Sequence, residues 1–116
     1  MIGIKQATMD LIKQFEVYWV NLDPTEGSEI QKTRPCIIVT PDEMNTTLNT
    51  IMVVPLTHTI INWPFRTTVT VNGNISSAAC DQLRTIAKER LRDYIGSITA
   101  AEKDKILVIL QAIFSE

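Results

Sequence analysis

Hydrophobic and polar positions along the chain change over in short stretches. Phe15 to Leu22 (FEVYWVNL) is aromatic and β-branched and runs into Asp23-Pro24, which predicts a first strand closed by a turn. A polar loop from Asp23 to Thr33 follows. Arg34 to Thr40 (RPCIIVT) is then too short for a typical helix and is β-branched, with Pro35 tolerable at a strand start and Pro41 ending it. Within Asp42 to Asn49, Met44 and Leu48 stand at helical spacing among polar residues, which predicts a turn or one helical turn. Ile51 to Leu56 predicts another strand, and Thr57 to Pro64 reads as a mobile connection. Phe65 to Val71 alternates before Asn72-Gly73, a strong tight-turn signal, and Ile75 to Cys80 returns as its partner. Tyr94 to Ile98 offers a further short strand, interrupted by Gly96. Thr99 and Glu102 have capping-box spacing ahead of an apolar stripe, Ile106, Leu107, Ile109, Leu110, Ile113 and Phe114, which predicts a carboxy-terminal helix.

Short strands, hairpin turns and one packed helix, without long crossover helices, predict a mainly β chain with α: a small, partly open antiparallel β-barrel with a C-terminal helix. Residues 1–14 read as an N-terminal extension, equally a short amphipathic helix or a frayed segment, and residues 15–116 as one domain. At 116 residues and 45% apolar composition the chain suffices for one core. Its longest apolar runs fall far short of a bilayer span, and its start lacks the pattern of a secretion signal, so the expected compartment is the cytoplasm. Cys36 and Cys80 lie in apolar segments without zinc-site spacing and read as buried, reduced thiols. A net charge of −2 argues against coating nucleic acid through bulk positive charge, so any such site is local. Lys32 with Arg34, and the later series Arg84, Lys88, Arg90 and Arg92, are the cationic clusters from which a patch can be built.

Three segments place chemistry at strand ends. Gly27 to Pro35 packs a glycine, Glu29, Lys32 and Arg34 just before a buried strand. Thr57 stands where a strand leaves the core. Asp81, Gln82 and Arg84 emerge just after an apolar strand. Each alone also reads as an ordinary solvated loop or salt-bridge cluster.

In order, GSEIQKTRPCIIVTP, VVPLT, a WPF segment and CDQLRT followed by an aliphatic helix resemble the MazF/PemK family of toxin endoribonucleases, from about Glu16 to the end of the chain. The resemblance implies an SH3-like barrel that forms a homodimer, cuts single-stranded RNA without a metal or other cofactor, and is held inactive by a cognate antitoxin. It implies catalytic roles for Arg34, which clamps phosphate charge, for Thr57, which orients a phosphate or the 2′-oxygen, and for Asp81. In the PemK branch the aspartate is the general base, paired with an arginine two positions earlier. Here that position is Ala79, so Asp81 is left either as base or as a binding group. Ser28, Glu29, Lys32, Asn45, Gln82 and Arg84 are the expected RNA contacts. His58, the chain's only histidine, is an attractive base but reads first as an exposed loop residue. Trp63 and Phe65 read as core or dimer packing, with base stacking the alternative. Two other functions stay in view: a gyrase-binding toxin on a CcdB-like barrel, whose tryptophan-glycine-isoleucine tail is missing here, and a catalytically silent, antitoxin-binding relative.

Overall fold

The structure is a computed structural model that describes residues 12–115. Its strands are β1 (Glu16–Asn21), β2 (Thr33–Ile38), β3 (Thr50–Thr57), β4 (Arg66–Val71), β5 (Asn74–Ala79), β6 (Arg84–Ala87) and β7 (Leu91–Ser97); its α-helices are α1 (Asp42–Thr47) and α2 (Ala100–Ile113). Short 3-10 turns at Cys80–Gln82 and Lys88–Arg90 flank β6. The strands form one curled antiparallel sheet in the order β4-β5-β3-β2-β1-β7, with β6 also paired to β3. The expected partly open barrel with a C-terminal helix is the architecture observed. The expected N-terminal extension lies mostly outside the described residues; at its end Ile12 is fully buried and Gln14 Nε2 donates to the Val39 carbonyl at 2.8 Å.

Two apolar clusters lie on opposite faces of the central strands. Tyr18, Val20, Cys36, Ile38, Ile51 and Val53 belong to one, and Val17, Ile37, Val54, Leu56, Val69 and Ile106 to the other. Burial on both faces explains why β2 and β3 read as continuous apolar runs instead of alternating. Strand β3 holds the sheet together: Thr50 to Val53 pair with β6, Val53 to Pro55 with β2, and Leu56 and Thr57 with β5.

Two turn features match their chemistry. Asn72 and Gly73 adopt φ of 52° and 80°, the left-handed pair that a two-residue hairpin requires. The Asn72 side-chain amide also donates to the Ile95 carbonyl at 2.8 Å, drawing the hairpin onto β7. A Cβ at Gly96 would stand 3.3 Å from Asn72 Oδ1, so the glycine inside β7 permits this approach. Strand β6 was not expected, because Ile86 is its one buried side chain and gives no periodic signal.

Helix α2 begins with the expected capping box: Thr99 Oγ1 accepts from the Glu102 amide at 3.2 Å, and Glu102 Oε1 accepts from the Thr99 amide at 2.8 Å. Glu102 Oε2 also accepts from the Thr70 amide at 2.8 Å, fastening the helix to β4. Of the apolar stripe only Ile106 is fully buried; Leu107, Ile109 and Leu110 pack at the margin, and Phe114 is 72% exposed. The helix, about 20 Å long by its rise per residue, overhangs the core beneath it. Burial works to raise the Glu102 pKa, but the hydrogen bonds from Thr99 and Thr70 outweigh it and hold the carboxyl below its ordinary value. This contribution is therefore fully present above the unfolded carboxyl's range and is lost as pH falls through the depressed folded value. Glu102→Gln should lower stability by about 1 kcal/mol at neutral pH, a typical capping loss. In urea titrations the difference from the parent chain should shrink toward pH 3; a difference that grows with acid would contradict the assignment.

Candidate active site

Arg34 is the second residue of β2, opposite Val20 of β1. It is half-buried, and its Nε donates to the Gln31 carbonyl at 3.3 Å. Among the described residues no carboxylate forms an ion pair with it. Most of the guanidinium's donors are thus left for a ligand. Arg34 lines a cleft of about 330 Å³ together with Trp19, Leu56, His58, Asn74 and Ser76. The β2–β3 register pairs Cys36 with Pro55. Arg34 stands two residues before Cys36 on β2, and Thr57, the last residue of β3, two residues after Pro55, so the two lie toward the same end of the antiparallel pair; Thr57 itself pairs with Ser77 of β5. Thr57 Oγ1 accepts from the Thr59 amide at 3.3 Å. His58 is exposed and lies on the wall of the Arg34 cleft, beside Thr57.

Asp81 lies in the 3-10 turn after β5. Both its oxygens are engaged by one residue: Arg66 Nε donates to Oδ1 at 2.9 Å and Nη2 to Oδ2 at 3.0 Å. The Asp81 bond raises the Arg66 pKa above its ordinary value despite the opposing cost of burial, so the guanidinium stays charged. Its carbon sits 4.7 Å from the centre of the Trp63 ring, and Trp63 in turn packs on Phe65 at 5.2 Å between centroids. Trp63 is 41% exposed, outside the core. Arg66 was missed from sequence, where it is one polar residue in an alternating strand.

The loop between β1 and β2 carries Ser28, Glu29 and Lys32, all exposed. Glu29 Oε1 accepts from the Glu26 amide at 2.7 Å, and the Lys32 amide donates to Asp23 Oδ1 at 2.8 Å. Gln82 and Arg84 hold this loop from beneath: Gln82 Oε1 accepts from the Ile30 amide at 3.4 Å, and Arg84 Nη1 donates to the Leu22 carbonyl at 3.3 Å. Gln82 thereby places the Asp81 turn against the loop that leads to Arg34. Arg90, also missed as a loop support, donates to the carbonyls of Asn21 and Asp23. Lys88 donates to the Asn45 carbonyl and Arg92 to the Glu89 carbonyl. Each member of the late basic series thus donates to a main-chain carbonyl, with Lys88 buried and Arg92 exposed.

Asn45 is a correction. Expected to touch RNA, it is fully buried at α1; its Oδ1 accepts from Thr40 Oγ1 at 2.6 Å, and its Nδ2 donates to the Thr40 carbonyl at 3.0 Å. Its side chain is spent inside the fold. Cys36 and Cys80 are buried and unpaired, as expected. Burial pushes their thiols up to about 12 and about 11, so neither is a nucleophile near neutral pH. Among the described residues no group of three or more histidine, cysteine, aspartate or glutamate side chains is arranged to hold a metal ion, and no helix is long and apolar enough to cross a membrane.

A curled antiparallel barrel with an arginine and a threonine at the ends of adjacent strands, beside an open cleft, defines a class of small β-barrel proteins armed at one end. The chain belongs to the family of PemK-like, MazF-like toxins of type II toxin–antitoxin systems, whose family model matches residues 13–114. It is 34% identical over 102 residues to Endoribonuclease MazF9 of Mycobacterium tuberculosis, covering 79% of this chain and 86% of that one. It is 30% identical over 107 residues to Endoribonuclease EndoA of Bacillus subtilis, covering 87% and 92%. Among solved structures, MazF from Deinococcus radiodurans superposes with a TM-score of 0.80 at 19% identity, over 88% of this chain and 94% of that one. A mycobacterial endoribonuclease in complex with its cognate antitoxin gives 0.75 at 24% identity, over 87% and 92%. These two likenesses bear on the fold.

Proposed function

We propose that this chain is a metal-independent endoribonuclease that cuts single-stranded mRNA, the toxin of a type II toxin–antitoxin pair that arrests translation and growth in the cytoplasm. The observation that carries the reading is Arg34, half-buried without a carboxylate partner among the described residues, in a cleft shared with His58, the residue that follows Thr57. RNA brings its own nucleophile. The 2′-oxygen bonds to phosphorus, the bond from phosphorus to the 5′-oxygen breaks, the 2′-hydroxyl proton leaves with a base, and the departing 5′-oxygen takes up a proton. The products carry a 2′,3′-cyclic phosphate and a 5′-hydroxyl.

Arg34 stabilises the charge that builds on the non-bridging oxygens, and its planar fork suits them. A guanidinium does not readily give up its proton, so Arg34 is not the base. Thr57 orients the 2′-oxygen or a phosphate by hydrogen bonding. Asp81 is an acceptor for the 2′-hydroxyl proton or for a base edge. Ser28, Glu29 and Lys32 meet the strand from the exposed loop, while Gln82 and Arg84 act on it through the loop they support. A homodimer and a cognate antitoxin complete the proposed assembly, the antitoxin an acidic or amphipathic tail that sets a carboxylate against Arg34 in place of phosphate. The mycobacterial relative seen with its antitoxin supports that partner.

The purified chain should cleave unstructured RNA in excess chelator and leave 5′-hydroxyl ends. Replacing the nucleotide before the cut by its 2′-deoxy form should abolish that cut. Ends bearing 5′-phosphate, or cutting that survives the 2′-deoxy substitution, would overturn the mechanism.

A further inference from the structure

Strands β4 and β5 place Arg66 directly opposite Ala79, two residues before Asp81. Side chains of opposed residues in an antiparallel pair share a face, so a group on residue 66 occupies the neighbourhood a long side chain on residue 79 would fill. Residue 79 offers only a fully buried methyl. The guanidinium comes instead from the paired strand β4 and grips Asp81 with two bonds, 2.9 and 3.0 Å long. Its flat face is backed by the Trp63 ring at 4.7 Å. The Arg66 side chain is 10% exposed and that of Asp81 27%, so the cation is the more enclosed partner and the carboxylate the more accessible one. Exposed ion pairs rarely hold one geometry, since both side chains give up entropy for little gain. Here the fork, the indole and the strand together fix it.

We propose that Arg66 is the positioning residue of Asp81, and that guanidinium and carboxylate serve RNA cleavage as one unit. The inference rests on the endoribonuclease reading and on Asp81 acting within it. Each Asp81 oxygen spends one lone pair on Arg66 and keeps another for the substrate. Fixing both oxygens sets the direction of those remaining lone pairs, and the next residue, Gln82, holds the loop that leads to Arg34. Without Arg66 the carboxylate is free to rotate, and misdirection of a reacting group by even about 1 Å is costly to rate.

The test is a double-mutant cycle in single-turnover cleavage of one short RNA, with thermal unfolding measured on every variant. Arg66→Ala and Asp81→Asn should each lower the cleavage rate constant by about 10- to 100-fold, with the half-saturating RNA concentration changed less than about threefold. The double variant should be no slower than the slower single one, because the two residues act as a unit. Arg66→Lys keeps a cation against Trp63 but gives up the fork, and its rate should fall between Ala and the parent. If Arg66→Ala does not fold, Arg66→Lys carries the same cycle. A folded Arg66 variant with the parent rate, or losses that multiply in the double variant, would overturn the proposal. A parent chain that leaves RNA intact defeats the endoribonuclease reading itself, whereas an active parent with an indifferent Arg66 defeats only this inference.

Discussion

Arg34→Ala is expected to lower kcat/KM for RNA cleavage by about 10²- to 10³-fold, the usual cost of removing one preorganised donor from a developing oxyanion. Its melting temperature should stay within a few degrees of the parent, because among the described residues the side chain makes a single hydrogen bond, 3.3 Å to the Gln31 carbonyl. The division between kcat and KM locates the interaction. A cation that only grips the strand stabilises ground and transition states alike, so its loss raises KM and flattens the salt dependence of binding. One that meets charge as phosphorus becomes five-coordinate acts on kcat. The loss is expected mainly in kcat, and Arg34→Lys should recover only part of it, since a point charge cannot reproduce the fork. Undiminished cleavage by Arg34→Ala would remove this residue from the reaction.

The same cleft holds the main competitor for the proton. His58 is exposed on the wall it shares with Arg34, whereas Asp81 is already engaged by Arg66. The two readings separate by geometry. Asp81 acts through an oriented carboxylate and must respond when Arg66 is removed. His58 acts from a loop and must be indifferent to it.

Most of the fold could be read from the chain because the buried pattern is local. β1 to β5 and α2 each carry enough apolar residues, or a sharp enough turn such as Asn72-Gly73, to announce themselves. β6 does not, because its place rests on pairing with β3 and on Ile86 alone. The site was legible where a residue stands at a strand end: Arg34 near the start of β2 and Thr57 at the end of β3. It was not legible where the partner comes from elsewhere in the chain. Arg66 and Asp81 are fifteen residues apart and meet only through the β4–β5 ladder. Arg84, Lys88 and Arg90 read as cations from which a local patch can be built, because a sequence shows charge but not acceptors. In the fold each also donates to a main-chain carbonyl of a distant segment.

Asn45 is the sharpest case of a polar residue whose work is internal, and its removal should cost the fold more than any other change considered. Its side chain closes two hydrogen bonds with Thr40, whose hydroxyl oxygen also accepts from the Met52 amide at 3.4 Å. Its carbonyl receives the buried Lys88 ammonium, and the Lys88 amide in turn donates to the Asn49 carbonyl at 3.1 Å. α1, the end of β2, β3 and the Lys88–Arg90 turn therefore meet at one residue. Asn45→Ala leaves the Thr40 hydroxyl and carbonyl without that partner in a space too enclosed for easy hydration, which costs about 1 to 3 kcal/mol for each stranded group. A total near 2 to 4 kcal/mol should lower the melting temperature by about 10 to 20 °C in a domain of this size. Cleavage per folded molecule, measured well below that temperature, should match the parent. A normal melting temperature combined with lost cleavage would instead place Asn45 on the RNA, because only a residue outside the buried network can be dispensable to the fold and necessary to the reaction.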